Sequence, residues 1–148
     1  MKKLLIVLFL PVLLLSGCTK EIDVPSKPDE LLKATVSYVI DGDTFVCSSE
    51  EDVEMKVRLI GVDAPESVHP DEDKNTEAGK DASFYTKDFL EGKTVELEFD
   101  VQEEDKYGRK LCYVWIDNEL FNKRILDDGY AALFTVPPNI KYVDYLRG

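Results

Sequence analysis

Five short stretches of this 148-residue chain carry side chains suited to chemistry: Asp41-Gly42-Asp43, Arg58, Val62-Asp63-Ala64-Pro65-Glu66, Lys106-Tyr107-Gly108-Arg109 and a lone His69. Asp43 and Asp63 offer hard oxygen donors, which suit calcium or magnesium rather than soft metals. Glu66 lies three residues beyond Asp63 in the same loop, within reach of a water beside such a cation. Arg58 and Arg109 are planar, permanently charged and shaped to grip phosphate oxygens in pairs. A cation, a carboxylate base and two guanidiniums are what phosphodiester hydrolysis asks for. The cation neutralises the phosphate, the base takes the proton of the attacking water, and the guanidiniums stabilise charge on the equatorial oxygens.

Each stretch alone also has a plain structural reading. Asp-Gly-Asp suits a hairpin turn, Asp-Ala-Pro-Glu an ordinary loop, Tyr-Gly-Arg a bulge before a strand, and Arg58 an exposed strand charge. With one histidine in the chain, a zinc site or a Ser-His-Asp triad lacks parts. Asp71, Asp73 and Asn75 have the first spacings of a calcium-binding helix-loop-helix. However, Thr76 stands where that loop needs Gly and Ala82 where it needs Glu, so the motif fails.

The elements that must position these groups follow from pattern. Residues 35–40 and 44–47 are β-rich runs around a Gly-containing turn, a hairpin. Residues 53–60 alternate apolar and polar as a half-buried strand does. A loop is expected over 61–75, then a helix over 76–91 capped by Asn75 or Thr76, stopped by Gly92 and facing inward through Ala78, Ala82, Tyr85, Phe89 and Leu90. Residues 94–99 alternate again, 102–108 read as a charged loop, and 109–116 as a fifth strand. A short helix over 120–128, an extended piece over 131–134 and a last helix from about 139 complete the chain. Strands in this order suit an α+β, mainly β, five-stranded OB-fold barrel with two to three helices.

Charge sets a limit on partners. The chain carries 18 Lys and Arg against 30 Asp and Glu, a net charge of −12. Bulk attraction for nucleic acid needs clustered cations, so contact with a polyanion must be local, where a bound cation can invert the field. The N-terminus opens with Lys2 and Lys3, continues through apolar residues 4–15 and reaches Leu15-Ser16-Gly17-Cys18, the pattern of a bacterial export signal. The tetrapeptide resembles a lipobox, which makes residues 1–17 a lipoprotein signal peptide and Cys18 the acylated first residue. The expected location is therefore exported and lipid-anchored to the outer face of the cell membrane. Residues 18–33, with two prolines, read as the lipidated Cys and a flexible tether, and 34–148 as the domain. Export makes a disulfide between its two remaining cysteines, Cys47 and Cys112, possible; both fall in apolar strand patterns, where core thiols are the favoured of the two readings.

Ile40-Asp41-Gly42-Asp43-Thr44, Arg58 through Glu66, and Asp105-Lys106-Tyr107-Gly108-Arg109 resemble, in order and spacing, the three signature segments of the thermonuclease family. The likeness extends from about Ala34 to about Arg147. It implies an OB fold and calcium-dependent endonucleolytic cleavage of DNA and RNA with little sequence preference, leaving 3′-phosphate ends. By the same resemblance Asp43, Asp63 and the Ala64 carbonyl hold Ca2+, Glu66 activates water, and Arg58 and Arg109 grip phosphate. Lys106 and Tyr107 hold a neighbouring phosphate, and the protein is expected to act as a monomer. Three features depart from the family: Leu133 to Pro138 replace its usual cleft tyrosines, the last helix is about three turns shorter at 3.6 residues per turn, and the domain is acidic. The alternative is a catalytically silent OB-fold module that binds nucleic acid or a protein partner.

Overall fold

The computed structural model describes residues 22–148. Its strands are β1 (Leu32–Asp41), β2 (Thr44–Ser49), β3 (Glu54–Leu59), β4 (Gly61–Asp63), β5 (Thr94–Glu104), β6 (Lys110–Ile116), β7 (Glu119–Leu120) and β8 (Ala132–Phe134). The helices are α1 (Glu77–Leu90), α2 (Phe121–Asp127) and α3 (Val143–Arg147), and Glu72–Lys74 forms a single 3-10 turn. The main sheet runs β3-β2-β1-β5-β6-β7, and a parallel β3–β6 pairing closes it into a barrel. Five strands around one core and three helices make an OB fold.

Alternation on the strands sends Val36, Phe45, Cys47, Val57, Leu59, Val95, Leu97, Cys112 and Val114 inward, each at most 2% exposed. Helix α1 plugs the barrel with Ala82 and Leu90 buried and Tyr85 and Phe89 packed on the same cluster. Ala78, expected on that face, is exposed, and Gly79 is buried in its stead. Cys47 and Cys112 are free, buried thiols. A second cluster joins Ile60, Tyr113, Trp115 and Leu120 to Tyr142 and Leu146, so the short α3 still docks on the barrel.

Three expectations need correction. The stretch 61–75 is not all loop: Gly61–Asp63 pairs antiparallel with Ala132–Phe134. The charged stretch after Phe99 stays extended to Glu104. The tether is not free over its described part, because Lys27 pairs with Glu96 at 2.9 Å and Leu31 packs on the second cluster. Strand β1 likewise begins two residues before Ala34. Cys18 and the export signal lie outside the described residues.

Candidate active site

The β1–β2 hairpin turns through Gly42 and Asp43. Gly42 is required here by close approach: an added Cβ would sit 2.7 Å from the Ala64 Cβ and 2.8 Å from the Ala82 Cβ. The turn is pinned from two sides. Thr86 Oγ1 on α1 donates to the Gly42 carbonyl at 2.6 Å, and the Leu59 N–H donates to the Asp43 carbonyl at 3.0 Å.

That packing buries Asp43 to 6% exposure. Its Oδ1 accepts from Thr44 Oγ1 at 2.9 Å and its Oδ2 from the Ala64 N–H at 2.7 Å, with Arg58 Nη2 3.2 Å from Oδ2. Burial nonetheless raises its pKa, outweighing the pull of Arg58 and of these hydrogen bonds, and the nearby Asp41 charge adds to the rise. Arg58 lies between the two acids. Nη2 also meets Asp63 Oδ1 at 3.2 Å, while Nη1 donates to the carbonyls of Leu59, at 3.1 Å, and Val62. Arg58 is therefore a fixed, largely buried cation and not a solvated surface charge.

Asp63, more than half exposed, ends β4 at the mouth of the same recess. Glu66 is exposed two residues past the buried Ala64. Thr76, which caps α1 by accepting from the Gly79 N–H at 2.9 Å, donates its own N–H to the Glu66 carbonyl at 2.9 Å. One recess of about 340 Å³ brings together Asp41, Asp43, Arg58, Asp63, Glu66 and Arg109.

Arg109 enters from the β5–β6 turn. Its Nε donates to Asp105 Oδ2 at 2.7 Å, and its N–H and that of Tyr107 both reach Asp105 Oδ1. Partial burial opposes the Asp105 charge, but these donors and the Arg109 guanidinium together hold its pKa below the usual carboxylate value. Lys106 and Tyr107 are exposed at the tip, with the ammonium 5.0 Å from the ring centroid. They sit on the same turn as Arg109 but do not line the recess.

The donors available to a cation are the carboxylates of Asp43 and Asp63, with Asp41 alongside. Among the described residues no three His, Cys, Asp or Glu side chains gather as a closed metal cage. Two hard carboxylates facing a polar recess fit a partly hydrated divalent cation and do not fit zinc. His69 is not among the donors: its Nδ1 accepts the Asp71 N–H at 3.0 Å within its own loop.

A smaller recess of about 200 Å³ adjoins the first and shares Arg58 and Arg109 with it. Its lining includes apolar Leu59, Ile60, Leu111, Phe134 and Val136, with Gln102, Asp105 and Asn139 among its polar members. Sequence reasoning gave no role to Asn139, Asp105 or Ser67. Asn139 is 6% exposed and holds both backbone groups of Gln102, accepting its N–H at 2.8 Å and donating to its carbonyl at 2.7 Å. Nothing in the sequence marks it beyond the Pro137-Pro138 break before it. Asp105 lies four residues before Arg109, and that spacing is the sequence signal for it.

Residues 56–147 match the family described as "Staphylococcal nuclease homologue". The chain is similar to a thermonuclease of Staphylococcus intermedius, 46% identical over 72% of this chain and 62% of that protein. It is similar to a thermonuclease of Staphylococcus hyicus, 38% identical over 97% of this chain and 82% of that one. It is also similar to the endonuclease YncB of Bacillus subtilis (strain 168), 34% identical over 80% of this chain. The chain spans less than two thirds of the first and third relatives, 62% and 56% of their lengths.

Proposed function

We propose, because this chain belongs to the staphylococcal nuclease homologue family, that its cleft hydrolyses phosphodiester bonds of DNA and RNA with little sequence preference. The single observation that carries the reading is the convergence of Asp43, Arg58, Asp63, Glu66 and Arg109 on one recess. Relatives named thermonuclease and endonuclease support the same reading. A module that only binds nucleic acid has no use for this full set, and a net charge of −12 works against such binding.

Calcium is the cation this donor set would take, with Asp43, Asp63 and the Ala64 carbonyl as the protein ligands that would hold it. When bound it supplies positive charge against the phosphate and acidifies nearby water. Glu66, exposed and unpaired among the described residues, takes the proton of the attacking water as its oxygen bonds to phosphorus. The P–O5′ bond breaks, the departing 5′ oxygen takes a proton from solvent water to become a 5′-hydroxyl, and the phosphate stays on the 3′ end. Arg58 and Arg109 hold the equatorial oxygens as their charge grows, and Asp105 keeps the Arg109 fork aimed. Lys106 and Tyr107 take a neighbouring phosphate outside the recess, and the exposed apolar side chains of Phe134 and Val136 receive a base.

The protein works as a monomer, exported and held at the outer face of the cell membrane by lipid on Cys18. Product-end analysis tests the reaction. A labelled oligonucleotide cut with calcium present should become extendable only after phosphatase removes a 3′-phosphate. Fragments that extend without phosphatase would mean that the other P–O bond breaks.

A further inference from the structure

The Asp-Gly-Asp turn does more than present Asp43. Asp43 Oδ2 accepts the Ala64 N–H at 2.7 Å, and Asp41 Oδ1 accepts the Ser67 hydroxyl at 2.7 Å. The two acids of one turn therefore grip the following loop at two points, and only Pro65 and Glu66 lie between them. The turn itself is rigid. Asp41 Oδ1 also takes the Gly42 N–H at 2.9 Å, and Thr86 fastens the Gly42 carbonyl from α1.

The loop is supported from behind as well. Thr76 donates its N–H to the Glu66 carbonyl at 2.9 Å, and Gly79 lies so close that an added Cβ would stand 2.0 Å from the same oxygen. Glu66 thus has a backbone fixed on three sides and an exposed side chain with no hydrogen-bond partner among the described residues. A free carboxylate on a held backbone is the arrangement a base requires, because small misplacement is costly: a shift of about 1 Å can cost about a hundredfold in rate.

We infer that Ser67 is a positioning residue for the hydrolytic reaction: through its bond to Asp41 it locks the Glu66 loop onto the cation-binding turn. Asp41 serves this clamp, and Asp43 and Asp63 serve the cation. The inference rests on the nuclease reading above for its kinetic consequence, and on geometry alone for the clamp.

The test measures kcat and KM for the full chain and for Ser67→Ala, Ser67→Thr, Glu66→Gln and the double variant Ser67→Ala/Glu66→Gln, all well below their melting temperatures. Ser67→Ala should lower kcat about tenfold or more at unchanged KM. Ser67→Thr, which keeps the hydroxyl, should restore most of it. In the Glu66→Gln background the Ser67→Ala change should cost nothing further, since its effect passes through Glu66. The same fold-loss in both backgrounds, or an unaltered kcat in Ser67→Ala, would overturn the inference. If the wild-type chain cuts nothing, the nuclease reading fails by itself, and 15N relaxation of residues 66–68 then judges the clamp. Added mobility in Ser67→Ala supports the clamp; unchanged mobility refutes it.

Discussion

At the scale of single residues, the site holds one carboxylate where burial disfavours its charge and another where its partners favour it. Asp43 pays the cost of burial and is only partly compensated by Arg58. A carboxylate whose folded pKa is raised binds protons more readily in the folded than in the unfolded state. Its contribution to stability is present below its unfolded value of 3.8 and is lost as pH rises through the folded value. At neutral pH, Asp43→Asn should therefore melt no lower than the wild type, and should lose the stabilisation that calcium gives the wild type. For one site at a hundred times its Kd, that stabilisation is about 2.7 kcal/mol. A calcium-dependent rise in Tm that survives in Asp43→Asn would remove Asp43 from the cation site. Asp105 behaves oppositely. Its lowered pKa gives stability above the unfolded value of 3.8 that is lost as pH falls through the folded value. Arg109→Ala should reduce kcat by about a hundred- to a thousandfold without unfolding the barrel. Full activity in that variant would end its role as a phosphate clamp.

At the scale of elements, the gathering of Asp43, Arg58, Asp63, Glu66 and Arg109 at one recess was legible because each sits in a short motif whose chemistry is local. The hairpin, α1 with its Thr76 cap and the five barrel strands were legible from period and turn residues. Pairing between distant segments was not. Strand β4 has three residues, too few to show a period, and its partner β8 lies some seventy positions away. The clamp on Gln102 was hidden for a related reason. Strands β5 and β6 pair at Phe99 with Cys112 and next at Glu104 with Lys110, so a bulge leaves Gln102 out of the ladder. The Asn139 side chain supplies the partner that β6 does not. Nearby, buried Glu98 receives Trp115 Nε1 at 2.7 Å, Tyr142 Oη at 3.0 Å and Lys141 Nζ, tying the C-terminal segment to β5 and β6. Asn139→Ala leaves two backbone groups of Gln102 without these partners, at about 1–3 kcal/mol for each that stays buried. It should lower stability measurably in urea unfolding and displace the turn that carries Asp105 and Arg109. Unchanged unfolding would show that the bulge needs no such support.

At the scale of the whole molecule, an acidic barrel carries a local cationic grip. Most surface cations of the α2 and α3 region are already paired, including Lys123 with Asp127, Arg124 with Glu119 and Arg147 with Asp144. The proposed phosphate contacts are few, at Arg58, Arg109 and Lys106. For single-stranded substrate the logarithm of 1/KM should fall against log salt with a slope of about −1.4 to −2.1 for two to three phosphates. A much steeper slope would reveal an extended binding track. The proposed lipid anchor has its own test. Cys18→Ala should move the protein from the membrane fraction to the medium, and retention in the membrane would mean that lipid on Cys18 does not hold it.

The most direct test of the central claim is cleavage of heat-denatured DNA by the folded chain, with calcium, with excess chelator, and with calcium for Glu66→Gln. The geometry predicts cutting that requires calcium, stops with chelator and falls by about two to four orders of magnitude in Glu66→Gln at unchanged melting temperature. A folded wild type that does not cut with calcium, or a Glu66→Gln variant that cuts as well as the wild type, would contradict it.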